Sequence, residues 1–118
     1  GHGVGYFLNV HEGPHAISSN NKVNLEEGMV VSNEPGYYEK NKFGIRIENL
    51  IYVKKIKEKK YFENLTMAPI DKDLIVKNNL NKNEKKWLNN YHKNVFNNLK
   101  NSMNKSEVLE LQKACSAI

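Results

Sequence analysis

The spacing of apolar positions changes once along this chain, near residue 71: apolar residues recur at every second position before it and at every third or fourth after it. The first regime predicts strands. Residues 29–34, MVVSNE, are short, β-branched and closed by Pro35-Gly36, the pattern of a strand that ends in a turn. Residues 43–53, FGIRIENLIYV, give the longest alternation, with Ile45, Ile47, Asn49 and Ile51 on one face and Arg46, Glu48, Leu50 and Tyr52 on the other. The charged run 54–60 reads as an exposed hairpin connection leading to a further strand near residues 65–70. Upstream, residues 1–14 carry glycines among small apolar residues, as a tight loop entering a short extended segment does, and residues 17–28 are polar and end in a turn.

The second regime predicts two helices. Asn81 with Glu84 forms a capping-box pair ahead of Trp87, Leu88, Tyr91, Val95, Phe96 and Leu99 at helical spacing. Asn104 with Glu107 opens a second amphipathic stretch through Val108, Leu111, Gln112 and Cys115. The expected class is therefore α+β: an antiparallel sheet within residues 1–70 and a two-helix extension, residues 71–118, packed on it.

Composition narrows the function classes. At 118 residues the chain holds one small core, and its formal net charge of +5 comes largely from lysines scattered among asparagines. No stripe of lysines interleaves with aromatics, so the basic surface reads as solvated, with no nucleic-acid partner expected. A single cysteine excludes an internal disulfide and fits a reducing compartment. No apolar run has the length of a membrane span, so no membrane partner and a cytoplasmic location are expected.

Candidate chemistry lies among His2 in GHGVG, His11 in NVHEGPH, Glu34 in SNEPGYY and Glu48 in GIRIEN. A carboxylate on an apolar strand is costly unless paired, neutralised or metal-bound. For Glu48 an ion pair with Arg46 on the same strand face is one explanation and metal binding the other. Two carboxylates on neighbouring strands, with an imidazole, suit manganese, cobalt, zinc or iron. His15 and His92 read as structural, and Tyr37 and Tyr38 serve equally well as packing residues or substrate contacts. No Ser/His/Asp or Cys/His arrangement points to nucleophilic catalysis, and GHGVG lacks the spacing and lysine of a phosphate-binding loop.

Taken together, GHGVGYFLNVHEGP, GMVVSNEPGYYE and FGIRIEN closely resemble the C-terminal half of the catalytic domain of the aminopeptidase P family, Xaa-Pro aminopeptidases of the pita-bread metallopeptidases, and WLNNYH resembles the terminal extension of its cytosolic, eukaryotic-type members. The resemblance implies two divalent cations, manganese first, with zinc or cobalt as alternatives, held by two aspartates, one histidine and two glutamates. His2 matches the histidine ligand, Glu34 the first glutamate and Glu48 the glutamate bridging both metals. His11 matches a histidine that contacts substrate near the scissile bond, and Arg46 an arginine that orients the bridging glutamate.

The two aspartates have no counterpart here, so this chain is expected to be the C-terminal piece of a larger protein and inactive alone. The missing N-terminal part, peptides beginning Xaa-Pro and a second copy in a homodimer are the partners implied. Two rivals share the fold, a prolidase and a methionine aminopeptidase. A third is a noncatalytic pita-bread module that binds a peptide or partner.

Overall fold

A computed structural model describes residues 1–118, which divide into two compact units, Gly1–Thr66 and Met67–Ile118. The first is built of antiparallel strands. Strands β1 (Gly3–Val4), β2 (Val30–Asn33), β5 (Asn49–Ile56) and β6 (Lys59–Asn64) form one sheet in the order β1-β2-β5-β6. Strands β3 (Gly36–Glu39) and β4 (Phe43–Arg46) pair as a separate two-stranded ribbon. The class is α+β, as expected. The core of this unit is Val31, Ile51 and Val53, the odd-numbered face of β2 and β5, where Val31 lies opposite Ile51.

Several sequence expectations are corrected here. Residues 43–53 are two strands, β4 and β5, interrupted at Ile47 and Glu48. The alternation is continuous because both strand pairs keep one register: Gly36 faces Arg46 in the ribbon, Asn33 faces Asn49 in the sheet, and the Ile47 amide reaches the Pro35 carbonyl at 3.2 Å between them. Side-chain parity thus carries across the break while the hydrogen-bond ladder does not. Pro35-Gly36 accordingly ends no strand in a turn; Gly36 opens β3, and Tyr37 and Tyr38 are strand residues.

The charged run 54–60 does hold a hairpin turn, but most of it is strand, since β5 continues to Ile56 and β6 starts at Lys59 around a turn in which Lys57 takes φ 54. No strand forms at 65–70. Lysines fit these strands because their side chains are exposed, and Lys54 and Lys60 pair with Glu63 and Glu26, each at 2.7 Å.

The second unit carries α1 (Lys82–Leu99) and α2 (Lys105–Ala114). Each begins with the capping box expected: Asn81 accepts from the Asn83 and Glu84 amides, Asn104 accepts from the Glu107 amide, and Glu84 and Glu107 return the bond. Tyr91, Val95 and Leu111 are buried together, with Met67, Ile70, Phe96, Leu99, Met103 and Cys115 packed around them. Trp87, placed on the apolar stripe by spacing, is instead half exposed and stacks on Tyr91 at 5.5 Å. No helix is long and apolar enough to cross a membrane.

Candidate metal centre

The register of the first unit assembles the site. Extending the β1–β2 pairing by one residue sets His2 opposite Ser32, and extending β2–β5 by one sets Glu34 opposite Glu48, at the break where the sheet gives way to the ribbon. All four are even-numbered, so they share the face opposite the Val31–Ile51–Val53 core. One ligand atom from each of His2, Glu34 and Glu48 lies within 4.8 Å of the others.

The glycines around His2 have a steric role. A Cβ on Gly1 would stand 1.8 Å from the Ser32 carbonyl oxygen, and one on Gly3 would stand 2.0 Å from that of Glu12. Only glycine lets this edge lie so close to its neighbours.

The electrostatics are organised around Glu34. Its Oε1 accepts from the Ser32 hydroxyl at 2.7 Å and lies 3.5 Å from His2 Nε2, while its Oε2 accepts from Arg46 Nη1 at 3.1 Å. The Ser32 bond first, then the charge of Arg46, hold the Glu34 carboxyl below the usual carboxylate range, against the opposing effect of desolvation. Arg46 also stands 3.8 Å from Glu48 and donates through Nε to Tyr38 Oη at 2.9 Å. Tyr38 lies across Gly36 and Gly44, where a Cβ would meet its ring or hydroxyl at 2.7 and 2.6 Å.

His2 Nδ1 lies 2.8 Å from the Gly3 carbonyl oxygen, which can only accept, so the neutral ring carries its proton there and turns the lone pair of Nε2 toward Glu34 Oε1. Two acceptors facing each other at 3.5 Å call for a cation or a proton between them, so this donor set fits a divalent cation.

His11 is exposed, with its ring edge-on to His2 at 4.6 Å between centroids, so every site residue expected from the sequence is in one neighbourhood. His15 packs against Gly3 and bonds the Val30 carbonyl at 2.8 Å, outside the cluster of candidate ligands, and His92 belongs to the helical unit. Sequence reasoning missed Ser32, fully buried between His2 and Glu34, and Glu12, which accepts from the Phe7 and Asn9 amides, each at 2.9 Å, and so folds the loop that bears His11. The available signal for Ser32 was its position two residues before Glu34 on the same strand face.

The description of metallopeptidase family M24 matches residues 1–55, and that of the C-terminal region of peptidase_M24 matches residues 60–118. The chain belongs to metallopeptidase family M24. Its M24 relatives include a probable Xaa-Pro aminopeptidase P of Laccaria bicolor, 54% identical over 103 residues that cover 78% of this chain and 16% of the relative. One of the same description from Coprinopsis cinerea is 51% identical over 107 residues, covering 81% and 17%. This M24 chain also superimposes on the X-prolyl aminopeptidase of Caenorhabditis elegans, described as a cytosolic enzyme with a di-nuclear active site, with a TM-score of 0.79 and 36% identity over 99% of this chain and 21% of that one. The chain thus spans about a sixth of the length of these fungal relatives.

Proposed function

We propose that this chain is the C-terminal part of an Xaa-Pro aminopeptidase with a dinuclear metal site, an enzyme that releases the N-terminal residue from peptides with proline second. The observation that carries the proposal is the convergence of His2, Glu34 and Glu48 within 4.8 Å on one strand face. The likeness to Xaa-Pro aminopeptidases over most of the chain supports it. His2, Glu34 and Glu48 would hold two divalent cations, manganese first and zinc or cobalt as alternatives, with the remaining ligands from upstream sequence. Such cations supply Lewis acidity and acidify coordinated water, toward a pKa of roughly 7 in the best zinc cases.

Glu34 is assigned the proton transfer, taking a proton from water and delivering it to the departing proline nitrogen, with its carboxylate oriented by bonds from Ser32 and Arg46. Arg46 holds Glu34 and Glu48 in place and offsets part of their mutual repulsion. His11, exposed beside His2, hydrogen-bonds the scissile carbonyl oxygen as negative charge develops, a contribution worth about 100- to 1,000-fold in rate. The protein is proposed to act in the cytosol, as its Caenorhabditis elegans counterpart is described to, and as a homodimer.

The test compares the full-length protein, supplied with manganese, with its Glu48→Ala variant on a peptide bearing proline second. Release of the first residue by the parent and not by the variant is expected. Absence of both metal and activity in the parent would leave a noncatalytic binding module, and turnover confined to dipeptides would mark a prolidase.

A further inference from the structure

Ser32 is the one fully buried polar side chain of the first unit, and its single hydroxyl meets two of the three candidate ligand residues. Oγ lies 2.8 Å from the His2 amide nitrogen, which can only donate, so the oxygen must accept there. Its one proton then has two possible acceptors. Glu34 Oε1 is at 2.7 Å and the His2 carbonyl oxygen at 3.4 Å; the carbonyl already takes the Ser32 amide at 2.8 Å, so the proton goes to the carboxylate. One hydroxyl therefore ties the backbone of the imidazole-bearing strand to the orientation of the facing carboxylate, and burial keeps water from replacing it.

Two neighbouring bonds complete the clamp. The Gly3 carbonyl oxygen holds His2 Nδ1, and Arg46 holds Glu34 Oε2, so the Ser32 bond decides where Oε1 stands relative to Nε2. Any side chain at position 1 would collide with the Ser32 carbonyl, so glycine is what lets this edge lie against Ser32.

Building on the reading of this site as a metal centre, we propose that Ser32 is a positioning residue that sets cation affinity by locking the spacing of the His2 imidazole and the Glu34 carboxylate. It touches neither the cation nor the substrate. Groups that orient metal ligands through such bonds are worth roughly 10- to 100-fold in affinity or activity.

The decisive pair is Ser32→Thr and Ser32→Val in the full-length protein, because the two side chains have nearly the same volume and only threonine keeps a hydroxyl. Calorimetric manganese titration is expected to give the threonine variant affinity close to that of the parent and the valine variant about 10- to 100-fold weaker. The kcat of the valine variant at fixed manganese should fall while KM for the peptide holds, since the substrate contacts are untouched. Equal manganese affinity for the two variants would overturn the role of Ser32.

Failure of the parent itself to bind manganese would overturn the metal-site reading instead, so the two failures are distinguishable. Should neither variant fold, a high-resolution structure of the manganese-loaded parent decides. Ser32 Oγ within hydrogen-bond distance of a liganded Glu34 supports the proposal, and Oγ turned away from it overturns it.

Discussion

The two units of this chain treat their side chains in opposite ways. The helical unit gathers Tyr91, Val95 and Leu111 into an apolar cluster, with Leu74, Val76, Trp87 and Leu109 left exposed, caps both helix starts with asparagine and buries His92 with its Nε2 accepting from the Ile70 amide at 3.1 Å. The strand unit leaves Tyr6, Phe7, Leu8 and Val10 exposed on one loop, and Tyr37, Phe43 and Ile45 exposed along the odd-numbered positions of its ribbon, with Ile47 just beyond it. Its buried polar group, Ser32, accepts from the His2 amide and donates to the Glu34 carboxylate.

The lesson is a division of labour. Changes in the helical unit should register as stability, and changes at the even-numbered face of the strand unit as metal binding and rate.

The comparison breaks if helical substitutions alter metal affinity. The largest effect is expected from Leu111→Ala, which empties a buried position of the helical cluster and should cost about 2–5 kcal/mol. Faster amide exchange in α1 and α2, with manganese affinity unchanged, is the expected reading, and weakened manganese binding would refute the division.

His92 comes next. Burial first, then the nearby charge of Lys72, pushes its pKa below the ordinary 6.5, so the neutral ring is the folded form. An unfolded chain then takes up the proton first as pH falls, so this stabilisation is full above about pH 6.5 and is lost as pH drops toward the lowered folded value. His92→Phe should remove that acid sensitivity in exchange measurements between pH 7 and pH 5. At neutral pH it should cost about 1–3 kcal/mol by stranding the Ile70 amide. An unchanged acid response would reject His92 as its source.

The smallest effect sharpens the contrast. Asn81→Ala should cost about 1 kcal/mol and fray only the first turn of α1, visible as faster exchange at residues 83–85 with kcat unaltered. Fraying that spread along the whole of α1 would show that the cap governs more than its own turn.

Helices and their starts were legible in the sequence because both signals are local: the Asn81–Glu84 and Asn104–Glu107 pairs lie within one turn, and the stripe through Leu88, Tyr91 and Val95 repeats within one element. The candidate ligands His2, Glu34 and Glu48 were legible as residue types inside motifs, and the alternation through 43–53 placed Arg46 and Glu48 on one face. The break at Ile47 and Glu48 was not legible, because side-chain parity is the same whether or not the ladder continues. Of the charged hairpin only the turn was legible and its strand arms were not, since lysines on exposed strand positions look like a solvated connection when nothing shows which strands they face.

By itself, then, the sequence determined local matters in this protein: the capping boxes, the helical stripes, the alternation that sets side-chain faces and the kinds of ligand on offer. Only the tertiary structure decided which of these meet. The pairing of β1 with β2 brings His2 to Ser32, and that of β2 with β5 brings Glu34 to Glu48. Strand register is a relation between segments tens of residues apart, and no pattern within one segment encodes the partner opposite. The role of Ser32 follows from the same fact, because an ordinary strand serine becomes a clamp only once a second strand supplies the amide it must accept from.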